Sequence, residues 1–196
     1  MKRAAAKLVA FDLGGVVVDV DKNVLAALGP VELVARAFFA ANIHDDLTTG
    51  AVDGDGFIAG AADILGADVE VVRHTWASMV RFSDGGLSLI ADCAARGPVA
   101  IWSNTDPIHW AVLAPSFSPL ALDLAPSFLL GAMKPERAYF AAAVARLAGH
   151  GYVTADIVFV DDRADNVAAA IACGIDAVIV DGVAGARAAL VARAII

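Results

Sequence analysis

Asp12 ends the apolar run LVAF, Ser103 ends VAIW, Lys134 comes shortly after FLLG, and Asp161 and Asp162 end IVFV. A carboxylate, a hydroxyl, an ammonium and a carboxylate pair thus recur just beyond stretches apolar enough to be buried strands. Taken singly, each has an ordinary explanation. Asp12 opens a turn, the stretch SNTDP caps a helix, and Lys134–Pro135 starts a helix with proline in its first turn. Taken together they predict a metal, because carboxylates carried to one crevice repel each other unless a cation lies between them. Aspartates, a backbone carbonyl and water form an all-oxygen set, which suits magnesium with its retained waters and a substrate phosphate. Zinc does not fit, since His44, His74, His109 and His150 are scattered and no His/Cys cluster has ligand spacing.

The chemistry such a crevice supports is phosphoryl transfer. Asp12 is placed to be both nucleophile and metal ligand, and the glycines after it let the chain turn so that the Gly14 carbonyl reaches the same ion. Lys134 would neutralise the nucleophile and the phosphoryl oxygens, while Ser103 and the neighbouring Asn104 would bind phosphate. Phosphate monoesters hydrolyse so slowly in water that enzymes accelerate them by up to ~10²¹. Fixed charges in a water-poor cleft are the main source of such an effect.

Those residues need a parallel sheet, whose strand ends gather loop amides and helix N-termini. The pattern predicts strands at 8–11, 99–102, 127–130, 157–160 and 177–180, with helices at 87–95, 107–113, 136–148, 164–172 and 184–194. Between the first two strands lie some seventy residues with apolar positions at helical spacing, as in VELVARAFFAANI, and no convincing strand. Within that segment Asp53 or Asp55 resembles part of a calcium loop, but the distal glutamate is missing and a helix-capping aspartate is the better reading.

At 196 residues the chain suits one compact domain with a small insertion. The net charge of -8 argues against a general nucleic-acid surface, but leaves room for a small phosphorylated metabolite at a locally positive or metal-bearing site. The opening MKRAAAKLVAFDL is interrupted by Lys7 and Asp12, and 110–133 carries Pro115, Pro119, Asp123 and Pro126, so neither reads as a signal or a membrane span. A soluble cytoplasmic protein is expected, with Cys93 and Cys173 as buried free thiols. It is expected as a monomer or a homodimer, the long apolar stretch 113–130 being the reason to entertain the latter.

The motifs FDLGGVVVD, IWSNT, GAMKPE and VFVDDRADN, in that order, resemble those of the haloacid dehalogenase (HAD) superfamily. More narrowly, FDLGGVVVDVDKN, TTGAVDGDGF, HTW, SNTDPIHW and SFLLGAMKPERAYF resemble the small bacterial sugar-phosphate phosphatases of the α-D-glucose-1-phosphate phosphatase type, so the likeness spans nearly the whole chain. It implies an α/β, Rossmann-like three-layer parallel sheet formed by residues 1–20 and 84–196, with a helical cap at 21–83. It further implies magnesium dependence and an aspartyl-phosphate intermediate. By matching position Asp12 is the nucleophile, Gly14 gives its carbonyl to the metal, Ser103 binds phosphate, Lys134 stabilises charge and Asp162 ligates magnesium. Asp161 then assists from behind the ligands, and Asn166 orients a water or ligand.

One departure stands out. Most phosphatases of the superfamily carry an aspartate as general acid and base where this chain has Gly14, a substitution that the narrower group shares. A substrate with a good leaving group, such as an anomeric phosphate, or a proton supplied by Asp19, His109 or a cap residue would compensate. His109 itself reads as a helix-surface histidine, Trp76 as core, and His74 and His44 as non-catalytic. The nearest rivals are a metal-independent 2-haloacid dehalogenase and a non-catalytic phosphate-binding protein; a signalling receiver domain is disfavoured because the acid pair comes last.

Overall fold

The structure is a computed structural model and describes residues 7–196, so the basic opening of the chain lies outside the described residues. In chain order the elements are β1 (Leu8–Phe11), β2 (Val18–Val20), α1 (Val31–Phe39), α2 (Ile43–Thr48), α3 (Gly54–Leu65), α4 (Val69–Ala77), β3 (Val80–Phe82) and α5 (Gly86–Ala94). They continue as β4 (Val99–Ser103), α6 (Pro107–Phe117), β5 (Asp123–Pro126), α7 (Ser127–Leu130), α8 (Arg137–Ala148), β6 (Ile157–Asp161), α9 (Ala164–Ala172), β7 (Asp176–Ile179) and α10 (Gly182–Ala192).

Five strands form one parallel sheet in the order β5-β4-β1-β6-β7, with Val9 level with Val99 on one side and Val158 on the other. The central strand β1 is buried throughout, and its alternating side chains feed two separate cores. Leu8 and Ala10 join Trp102 and Phe159 under Tyr139, Phe140 and Leu147 of α8. Val9 and Phe11 join Ile101 and Val160 under α5, α6 and α10, and this second core runs on into the helical insertion. A sheet covered on both faces explains why its inner strands read as unbroken apolar runs rather than alternating ones.

Two expectations about strands need correction. Residues 127–130 are not a strand but the short helix α7, and the strand precedes them at Asp123–Pro126. A four-residue apolar run cannot by itself distinguish strand from helix. Here Ser127 is fully buried, its hydroxyl donating to the Thr48 carbonyl and accepting from the Thr105 amide, and Gly131 at φ 67° ends the turn. The true strand was hidden by Asp123, which is buried beside the Arg146 guanidinium (Nη2–Oδ1 2.9 Å), and by Pro126, which an edge strand tolerates.

The second correction concerns the segment between β1 and β4. It contains a two-stranded antiparallel ribbon in which Asp19 of β2 faces Arg81 of β3, and this ribbon brackets the helices α1 to α4. Three-residue strands are too short to leave a periodic signal. The aspartate cap expected in this region is present: Asp53 Oδ1 accepts from the Gly56 amide at 2.6 Å at the start of α3, while Asp55 pairs with Arg73. Cys93 is buried and free, its thiol pushed up to about 11 chiefly by desolvation, and Cys173 is half-buried and free. Among the described residues no helix is long and apolar enough to cross a membrane.

Candidate active site

Asp12 leaves β1 where its amide still donates to the Val160 carbonyl, so the side chain is held at the carboxyl end of the sheet. Lys134 reaches the same point from the loop after α7, with its side chain fully buried. Its Nζ lies 2.9 Å from Asp12 Oδ1, 2.8 Å from Asp161 Oδ2 and 2.9 Å from the Trp102 carbonyl oxygen. Asn104 fixes the lysine backbone on both sides: its Oδ1 accepts from the Lys134 amide at 2.8 Å and its Nδ2 donates to the Lys134 carbonyl at 2.7 Å. The Asn104 side chain, expected to meet phosphate, is therefore committed to positioning the lysine.

Asp161 is completely buried at the end of β6, and both its oxygens are engaged. Besides Lys134, it accepts from the Arg163 amide at 2.8 Å and from Asn166 Nδ2 at 3.0 Å. Asn166 is buried as well, and its Oδ1 has no partner among the described residues. Asp162 is exposed and points across the turn after β1. A Cβ built on Gly15 would come within 2.2 Å of Asp162 Oδ2, and Gly15 has φ 69°, a conformation that side chains disfavour. The second glycine of the opening motif is thus needed for two reasons, its backbone conformation and the room it leaves for the carboxylate.

Oxygen atoms of Asp12, Asp161 and Asp162 lie within 4.8 Å of one another. Burial pushes the Asp12 carboxyl up to about 6, with the Asp161 charge adding to the rise and Lys134 opposing it. Asp162 is raised too, by burial and then by Asp161. One buried ammonium does not satisfy this much negative charge. The all-oxygen donor set and the raised carboxyls both fit a hard divalent cation, with Asp12 and Asp162 facing it and Asp161 securing the lysine.

Above these strand ends is a cavity of about 250 Å³ shared by the sheet and the insertion. Gly14, Ser103 and Asn104 line it from the sheet, and Phe39, His44 and Trp76 line it from the insertion. Ser103 is buried, and its hydroxyl makes only a long contact of 3.5 Å to the Asn104 carbonyl, so it remains available to a ligand.

His109 does not lie on a helix surface as expected from the sequence. It is buried, with Nδ1 2.6 Å from Asp106 Oδ2 and Nε2 2.8 Å from the Trp76 carbonyl oxygen, and its ring stacks on Trp76 at 5.1 Å. Asp106 also accepts from the Trp76 indole at 3.3 Å and caps α6 through the Ile108 and His109 amides. Burial alone would raise this carboxyl, but the hydrogen bond and charge from His109 and the two amides hold it below its ordinary value. Both ring nitrogens of His109 are occupied in joining α6 to α4. The spacing D-P-x-H, an N-cap with a histidine three residues on, was the signal for this joint.

Asp19 is likewise engaged, by Arg81 at 3.1 Å and the Ser83 hydroxyl at 2.5 Å, which hold its carboxyl below the usual range. Trp76 is fully buried and stacks on Phe38 at 4.8 Å, as a core residue would, and His74 faces solvent. His44, in the first turn of α2, is half-buried between Phe39 and Trp76. Lys22, Phe39 and Thr48 also line the cavity and carried no recognisable signal in the sequence.

No protein-family model matches the chain. Among solved structures, it superposes on a HAD family enzyme from Bacteroides thetaiotaomicron, solved in complex with magnesium and inorganic phosphate, with a TM-score of 0.78 at 20% identity over 90% of this chain and 95% of the other. The fold is that of the HAD family enzymes. A predicted HAD-like hydrolase from Porphyromonas gingivalis matches with a TM-score of 0.75 at 20% identity, covering 91% of this chain and 92% of its own. The L-2-haloacid dehalogenase of Xanthobacter autotrophicus, with chloropropionic acid covalently bound, is more distant at a TM-score of 0.58 and 16% identity, over 89% and 77% of the two chains.

Proposed function

We propose that this protein is a magnesium-dependent phosphatase that hydrolyses a small phosphate monoester through an aspartyl-phosphate on Asp12. A sugar phosphate of the glucose-1-phosphate type is the favoured substrate. The observation that carries the reading is the buried Asp12–Lys134–Asp161 cluster with the exposed Asp162 carboxylate beside it: a carboxylate held by an ammonium, next to a second carboxylate close enough to share a cation with it. Asp12, Asp162 and the Gly14 carbonyl would hold magnesium, which when bound neutralises phosphoryl oxygens and keeps Asp12 ionised. Ser103 donates its hydroxyl hydrogen bond to the phosphoryl group, and Lys134 offsets the charge that builds up as the Asp12 oxygen bonds to phosphorus while the ester P–O bond breaks and the alcohol departs. Water then attacks that phosphorus and frees the carboxylate. Residues 21–83 act as a cap that encloses the ester and excludes bulk water.

The magnesium and phosphate complex of the Bacteroides relative supports the phosphatase reading over the dehalogenase one. The deciding experiment assays phosphate release from a panel of sugar and nucleotide monoesters, with magnesium and with a chelator. Wild-type protein is expected to be active only with magnesium, and Asp12→Asn to be inactive on every ester. Metal-independent release of halide from a 2-haloacid, or turnover by Asp12→Asn, would sink the reading.

A further inference from the structure

An alkoxide leaving group needs a proton as its bond to phosphorus breaks, and the strand ends provide none. Lys134 has its N–H groups on Asp12, Asp161 and the Trp102 carbonyl, Asp161 is fully engaged, and Gly14 has no side chain. The leaving oxygen departs on the side of phosphorus opposite the attacking carboxylate, which leaves the groups that line the cavity beyond Gly14 and Ser103 to supply the proton.

Five ionisable side chains face this cavity: Lys22, His44, Asp45, Asp106 and His109. Asp106 and His109 are taken up by each other, by Trp76 and by backbone amides. Lys22 sits over the Phe39 ring at 5.6 Å, and the Asp45 side chain is 59% exposed. His44 is different. Its Nδ1 is 3.8 Å from Asp45 Oδ1, its ring is 5.5 Å from Phe39 and 6.0 Å from Trp76, and its Nε2 has no partner among the described residues.

The geometry points to His44 as the general acid and base of the reaction, a role that rests on the phosphatase reading above. An Asp12 oxygen forms its bond to phosphorus, the ester P–O bond breaks, and the leaving oxygen takes the proton from His44 Nε2. The neutral imidazole then accepts a proton from the water that attacks the aspartyl-phosphate from the same side. Phosphate leaves, Asp12 is restored and His44 is again protonated. One residue serves both steps because alcohol and water occupy the same place in turn.

Burial lowers the His44 pKa, opposed by the charges of Asp106 and Asp45 and reinforced by those of Lys22 and His109. A group titrating below its ordinary value is a ready base for the second step and limits the first as pH rises.

The test compares p-nitrophenyl phosphate, whose leaving group needs no proton, with glycerol 3-phosphate, whose leaving group does. In His44→Gln, kcat/KM for glycerol 3-phosphate should fall about 10²- to 10⁴-fold. That for p-nitrophenyl phosphate should change far less, with magnesium affinity retained. Lys22→Met and Asp45→Asn, whose charges act on His44 in opposite directions, should move the alkaline limb but keep the wild-type ratio between the two substrates on its low-pH plateau. The wild-type alkaline limb with the alkyl ester should vanish in His44→Gln. Equal losses on both esters, no loss, or a selective loss in Lys22→Met instead would overturn the assignment to His44 while leaving the phosphatase reading intact. Inactivity of the wild-type protein on every ester would remove both.

Discussion

At the strand ends next to Gly14 and Ser103 of the cavity, Asp12, Lys134 and Asp161 lie within hydrogen-bonding distance with almost no exposure, whereas the insertion lines the cavity with aromatic rings, a half-buried imidazole and the exposed Lys22 and Asp45. The first wall is a fixed array of charges whose partners are set by the ends of strands. The second is largely aromatic, and among its polar groups the joint of Asp106, His109 and Trp76 is fully satisfied. In the phosphatase reading the contrast separates two tasks: one wall would stabilise charge, and the other would select what is attached to the phosphate.

The largest break in this contrast should follow from Lys134→Met. Two buried carboxylates would lose the cation between them, a change worth about 3–5 kcal/mol of stability in metal-free protein. Turnover should also fall by about 10³. Denaturant unfolding with and without magnesium measures the first effect, and steady-state kinetics the second.

Gly15→Ala tests the room left for Asp162. The new methyl group would displace that carboxylate and weaken magnesium binding by about ten- to a hundredfold, with a smaller effect on phosphate affinity at saturating metal. Magnesium titration followed calorimetrically reads it directly. A variant with unchanged metal affinity would remove Asp162 from the set of ligands.

pH should sharpen the same wall. With the Asp12 carboxyl pushed up to about 6 by burial, protons compete with the cation below that value. Apparent magnesium affinity should then fall as pH drops through 6, by up to about tenfold per unit, and flatten above pH 7. Flat affinity across this range would contradict the account of the buried cluster.

The smallest effect belongs to the insertion. Asp53→Ala should cost about 1 kcal/mol through loss of the α3 cap. Its kinetic constants should match those of the wild type, since the cap lies outside the reacting groups.

The sheet wall was legible in the sequence because a residue just past a buried strand has one place to go. Asp12, Ser103 and Asp161 followed from that rule alone. Lys134 reaches the crevice for a different reason than the strand reading assumed: it lies beyond α7, and the Asn104 side chain brings its backbone across. The insertion wall was not legible. Helical periodicity shows that Phe39 and Trp76 belong to apolar faces but not that His44 stands between them, since that depends on how α2 meets α4 in space. His109 was misread for a related reason, because a polar residue on a first helical turn looks exposed until a second helix covers it. The β2–β3 ribbon escaped notice because its pairing joins residues sixty positions apart through three-residue strands.

The lysine ammonium has three protons, and each already meets an oxygen. An arriving dianion must trade places with one of those acceptors. The uncharged Trp102 carbonyl is the weakest of them and the natural one to yield. That exchange would leave Asp12 and Asp161 still holding the ammonium, so an incoming anion would meet a carboxylate that is already oriented.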